Sequence, residues 1–173
     1  NNLPNFAPKG NIIAYVPQGT GLMIMANEFV EVFNNRIASH DTSNIFLVSY
    51  DLTGKSTDDK NYRSYVRSLY IYDNFLTLAG RDPKGGSSKE SQEQIEALKI
   101  LIGPQFPGII YDGFAESPNH GNAQKICISS LKQPSFINLD FAHDFSHWSR
   151  EIAPYQCRLE KIIPVKLPGW FNQ

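Results

Sequence analysis

Four short apolar runs constrain this chain more than any other feature: "NIFLVSYDL" (Asn44 to Leu52), "GIIYDG" (Gly108 to Gly113), "QKICIS" (Gln124 to Ser129) and "FINLDF" (Phe136 to Phe141). Each is rich in β-branched and aromatic residues and too short for a buried helix, so each reads as a strand. "NIIAYV" (Asn11 to Val16), set between Gly10 and Pro17, reads the same way. "RLEKIIPVKL", from Arg158, completes the strand-like set. From Leu22 to Ile37 the pattern changes. Leu22, Met25, Ala26, Phe29, Val30, Phe33 and Ile37 recur at helical spacing, which predicts an amphipathic helix with Thr20 as its cap. Tyr62 to Leu78 fits either a helix or an extended run.

A second helix is predicted after the turn "RDPKGGSSKES" (Arg81 to Ser91). A capping box of Ser87 and Glu90 starts it, Ile95, Leu98 and Ile102 face inward, and Gly103-Pro104 ends it. Helices and strands alternate early and strands dominate late. The expectation is one α+β domain over residues 1–173, with a mixed or antiparallel sheet core and flanking helices. No internal repeat and no low-complexity tract is visible.

Composition sets limits on partners. The chain has 173 residues, 41% of them hydrophobic, enough for a core of its own. Sixteen basic and 17 acidic residues nearly cancel, so no global field draws it to nucleic acid or to acidic membranes. No run approaches the roughly 20 apolar residues that cross a bilayer. A soluble, cytoplasmic protein is expected. The first residue is Asn1, so the chain is expected to be processed or delivered as part of something longer. Cys127 lies between two isoleucines and reads as a small buried hydrophobe, in keeping with a reducing compartment.

Several constellations invite chemistry. His143 and His147 in "HDFSH" stand four apart near Asp140 and Asp144, a spacing that suits a metal on a helix, but the Glu base of the zinc-protease motif is missing and no third ligand stands out. A polar surface segment beside Trp148 is the plainer reading, and no metal is expected. Ser117, His120 and Asp112 supply the residue types of a hydrolytic triad without its nucleophile elbow. "GTG" (Gly19 to Gly21) before the first predicted helix lacks the lysine and hydroxyl of a phosphate loop. Glu28 and Glu31 belong either to a solvated helix face or to the edge of a cleft.

Three stretches, taken together, resemble the RES domain, a family of bacterial toxins with an ADP-ribosyltransferase-like fold that consume NAD. "NFAPKGNIIAYV" looks like the family's loop and strand, with Tyr15 at the tyrosine; "ANEFVEVF" resembles the helix bearing a glutamate, here Glu31 with Glu28 as rival; "GIIYDGFAESPNHGN" is similar to the late strand and loop, with Ser117 at the serine. The family's loop arginine is replaced by Asn5, which cannot form its bidentate fork, so Arg63, Arg67 or Arg81 would have to substitute in space. The resemblance implies NAD as substrate. Glu31 or Glu28 would stabilise the ribose cation, Tyr15 would stack, and Ser117, Asn5 or Asn122 would hold the carboxamide or ribose. Water, phosphate or a protein side chain would be the acceptor, and an antitoxin the partner. A non-enzymatic interaction module, such as an immunity protein or an inactive transferase-like domain, is the alternative. A hydrolase or nuclease built on His143 and His147 is the third. The discriminating observation is whether Ser117, Tyr15 and a glutamate line one cleft.

Overall fold

A computed structural model describes residues 6–8, 10–55, 58–115, 125–130 and 132–163. Helix and strand are both present, so the chain is α+β in the general sense, but every strand pairing is parallel. The expected mixed or antiparallel sheet is thereby corrected. The strands are β1 (Thr20–Met25), β2 (Glu28–Phe33), β3 (Arg36–Ala38), β4 (Ser43–Val48), β5 (Arg67–Tyr72), β6 (Phe75–Thr77), β7 (Ile109–Tyr111), β8 (Ile126–Ser129) and β9 (Phe136–Asn138). One helix, α1 (Lys89–Ile102), falls between β6 and β7.

Consecutive strands enter different sheets, and the chain returns to each sheet one level further on. The first sheet runs β1-β4-β7-β9, the second β2-β5-β8 and the third β3-β6. This is a parallel solenoid whose coils stack on one another, an architecture in which each coil buries its apolar side chains only against its neighbours. Within the coil, Ile45, Leu47, Leu69, Ile71, Ile109 and Ile126 form the dry interior, all at or near complete burial. Each is worth roughly 1.5–3 kcal/mol relative to exposure. Register keeps them aligned: Leu22 lies beside Ile45, Ile45 beside Ile109, and Ile109 beside Phe136.

The predicted helix over Leu22 to Ile37 is instead β1, β2 and β3, separated by sharp bends. Alternation is hidden because the outward residues Met23 and Met25 are also covered, by a second apolar cluster. Strands covered on both faces lose the polar half of their pattern. The bend after β2 puts Asn34 in the left-handed region (φ 55°), and the bend one coil later does the same to Asp73 (φ 51°). Asn and Asp tolerate this conformation better than most residues. The following residues form a polar ladder. Asn74, 5% exposed, donates to the Val32 carbonyl at 2.6 Å and the Tyr72 carbonyl at 2.9 Å, while its Oδ1 accepts from the Asn35 backbone at 2.9 Å and the Asn35 amide at 3.1 Å.

Other expectations divide. "NIIAYV" is a 3-10 turn over Ile12–Tyr15, capped by the Asn11 side chain, rather than a strand. The second helix is present as α1, with Ser88 rather than Ser87 as its cap, accepting from the Ser91 amide at 3.1 Å. The runs at β4, β7, β8 and β9 are strands as read, and Tyr62 to Leu78 resolves into β5 and β6. Residues 158–163 form no regular element, and the remainder of "RLEKIIPVKL" lies outside the described residues.

The far end of the solenoid is closed by its own chain. Ser149 bridges Asn138 in antiparallel fashion, and Ile152 (4% exposed) and Tyr155 pack on the interior beyond β9. The chain then crosses the outer face of the second sheet, where Cys157 forms a disulfide with Cys127 and Leu159 packs beside Tyr70 and Tyr72. Cys127 is fully buried as expected, but it is a cross-link and not a free hydrophobe.

Candidate functional site

The outer face of the first sheet carries Met23 and Met25 from β1, Phe46 and Val48 from β4, and Ile110 from β7. These side chains face α1, which presents Ile95, Leu98 and Leu101. The helix is tied at both ends. Near its start, Ser91, 1% exposed, donates its hydroxyl to the Tyr15 carbonyl at 2.7 Å and accepts from the Gly86 amide at 2.8 Å. A Cβ on Gly86 would come within 2.3 Å of the Ala14 carbonyl oxygen, so only glycine permits this approach. At the other end Arg150 donates to the Ile102 carbonyl at 2.7 Å, satisfying one of the open carbonyls of the last turn.

Between these ties the helix and the sheet line a partly open cavity of about 690 Å³. Its walls include Met23, Met25, Phe46, Val48, Ile95, Leu98 and Leu101, with Tyr15, Val16 and Pro17 and with Leu139, Phe141 and Phe145. Among the described residues, Asp112 is the only carboxylate in the lining. It follows β7, is 1% exposed, and is fixed by its backbone neighbours: Oδ2 accepts from the Ser49 amide at 2.5 Å and Oδ1 from the Phe114 amide at 3.0 Å. Phe114 is held in turn by the Tyr111 hydroxyl, which donates to its carbonyl at 2.5 Å. Gly113 makes the bend possible, with φ at 89° and a would-be Cβ 2.5 Å from Asn138 Oδ1.

Burial pushes the Asp112 carboxyl up to about 6, with the Ser49 and Phe114 amides pulling it partly back and nearby Asp51 adding to the rise. Among the described residues, no lysine, arginine or histidine lines the cavity to offset the charge. The arrangement can receive an apolar body, with Asp112 as the one carboxylate among the described lining residues, and among those residues no nucleophile has a paired base.

The described residues among those singled out from sequence are spread over separate elements. Tyr15 lines the cavity. Glu28 sits on β2, on a different sheet, and pairs with Arg67, its register neighbour on β5, with Nε to Oε2 at 2.5 Å. Glu31 is also on β2, beside Tyr70 in register, with its carboxylate accepting from the Tyr72 hydroxyl at 3.3 Å. Neither glutamate is on a helix, and neither reaches the cavity. Arg63 and Arg81 do not line it either. Asn5, Ser117, His120 and Asn122 lie outside the described residues.

His143 and His147 lie on a 3-10 turn and the loop after it, not on one face of an α-helix. Both serve Asp140. His143 Nδ1 is 2.7 Å from Oδ1, and the His147 backbone donates to Oδ2 at 3.1 Å. Burial raises the Asp140 carboxyl, but these hydrogen bonds outweigh it and the net shift is downward. Among the described residues, no group of three His, Cys, Asp or Glu gathers that could hold a metal. No described helix is long and apolar enough to cross a membrane.

Asp112 was visible in sequence as one member of a polar cluster, and what marks it out is spatial: a carboxylate directly after a fully buried strand has nowhere to go but the interface with the next layer. No family model, curated protein or solved structure matches the chain.

Proposed function

We propose that this domain is a non-enzymatic binding module that encloses an apolar small molecule between α1 and the outer face of the first sheet. The observation that carries the reading is the cavity of about 690 Å³, walled by residues of β1, β4 and α1 and of the turns around them. Ligand sites of this kind span about 300–1,000 Å³ and combine mainly apolar walls with a few placed polar groups. Met23 and Met25 add adaptable surface, since an unbranched thioether conforms to irregular shapes.

An NAD-consuming, transferase-like enzyme draws less support. It would use Tyr15 from the cavity, but its glutamates are engaged on β2 with Arg67 and Tyr72. The antitoxin and acceptor partners rest on that reading. The Cys127–Cys157 disulfide favours an oxidising environment over the cytoplasmic setting expected from sequence.

Titration with the hydrophobic fluorophore N-phenyl-1-naphthylamine tests the binding reading. The wild-type chain should show saturable enhancement at one molecule per chain, and Leu98→Trp, which fills the cavity, should weaken it at least tenfold while circular dichroism stays unchanged. Equal binding by the two proteins would refute the proposal, as would the lack of saturable binding to the wild type.

A further inference from the structure

Resting on the cavity reading, we infer that the ligand is an apolar amine whose protonated nitrogen sits against the Asp112 carboxylate. Three observations on the cavity point there. Its walls supply no cation among the described residues, so the carboxylate is uncompensated within the site. Asp112 is 1% exposed, so its charge is poorly solvated and meets the cavity only at an edge. Oδ2 accepts from the Ser49 amide and Oδ1 from the Phe114 amide, and with the Ser49 hydroxyl also contributing, the carboxylate keeps acceptor capacity for a further donor.

A buried charge of this sort is costly alone and is relieved by a partner of opposite sign with good geometry. The two amides hold the carboxylate in one orientation, so little ordering remains for a ligand to impose. An ammonium would add a charge-assisted hydrogen bond, about twice as strong as one between neutral groups. A neutral alcohol would add only an ordinary one, and a carboxylate head would be repelled. The apolar remainder of the molecule would lie along Met23, Phe46, Leu98 and Leu101.

Displacement of bound N-phenyl-1-naphthylamine by dodecylamine, dodecanol and dodecanoate, each below its aggregation limit at pH 7.5, tests the inference. The amine should displace the dye at a concentration at least tenfold below that of the alcohol, with dodecanoate weakest. Asp112→Asn should bring the amine to the alcohol's level while changing the alcohol less than threefold. If the variant does not fold, the wild type answers alone: lowering the pH to 5 should shrink the amine-to-alcohol ratio several-fold. The titratable groups closest to the carboxylate are Asp51 and Tyr111, and burial keeps the tyrosine neutral throughout that range. Equal displacement by alcohol and amine in the wild type would overturn the amine assignment and leave the cavity reading standing. So would an amine preference that survives Asp112→Asn, or one indifferent to pH. Failure of every ligand to displace the dye, or of the dye to bind, would bring down both.

Discussion

The outer faces of the first and second sheets are covered in opposite ways. On the second, an extended segment is fastened covalently through Cys127 and Cys157, with Leu159 packed beside Tyr70 and Tyr72 and the Lys161 ammonium 5.2 Å from the centre of the Tyr72 ring. On the first, a helix is tied by two polar contacts near its ends, from Ser91 and Arg150, and a cavity remains beneath it. An extended strap can follow a twisted sheet residue by residue. A helix is a rod about 10–12 Å across and touches such a surface only along part of its length. The same coil therefore presents one face that a strap follows closely and one with a cavity beneath its helix.

The largest test of this contrast removes the cross-link. The disulfide closes a loop spanning 30 positions, so Cys127→Ala with Cys157→Ala should lower unfolding free energy in urea by roughly 3–4 kcal/mol while dye binding under native conditions persists. A loss below about 1 kcal/mol would mean that contacts alone hold the strap. The next effect comes from Asp112 on the roomier face. Its folded carboxyl lies at about 6 and its ordinary value is 3.8, so the fold favours the protonated form. Stability should fall as pH rises across that interval, by up to about 3 kcal/mol, and Asp112→Asn should remove the slope. Asp140 works in the other direction: its contribution is present above the ordinary carboxylate value and is lost as pH drops through its lowered one. Thermal melts from pH 3 to 8 separate the two. The smallest effect is Val48→Ile, which adds a methylene toward the cavity and should shift stability by less than about 0.5 kcal/mol. Val32→Ile, inside the coil, should cost about 1–3 kcal/mol.

Sequence reading recovered the elements with strong local signatures and missed the way they repeat. Strands β4, β7, β8 and β9 stand out because both their faces are apolar, and α1 because its cap and its Gly103 end are local. The solenoid escaped because its coils are unequal. Ile45 finds its partner Leu22 a short way back along the chain, but meets Ile109 only after β5, β6 and α1 have intervened. The repeat is present at smaller scale: "EVFNNRIA" (Glu31 to Ala38) and "YIYDNFLT" (Tyr70 to Thr77) align residue for residue in the second and third sheets. Both carry a left-handed residue followed by Asn, and that pair was the readable sign. It was obscured because Val30, Phe33 and Ile37 also satisfy helical spacing. The cavity was not legible at all, since its walls come from six separated stretches of chain. Among the described residues singled out from sequence, Tyr15 and Asp112 line it, while Glu28 and Glu31 do not.

The two ties on α1 also order events in time. Ser91 reaches back to Tyr15, near the beginning of the chain, while Arg150 reaches Ile102 from far downstream. During synthesis the coil through β7 can stack as it emerges, because its contacts lie among segments already made. The helix is fastened early at its start and, just past its end, by the Phe106 amide on the Gly80 carbonyl, while the tie on the Ile102 carbonyl waits for Arg150. The chamber under it is completed late, after the walls that define it have set.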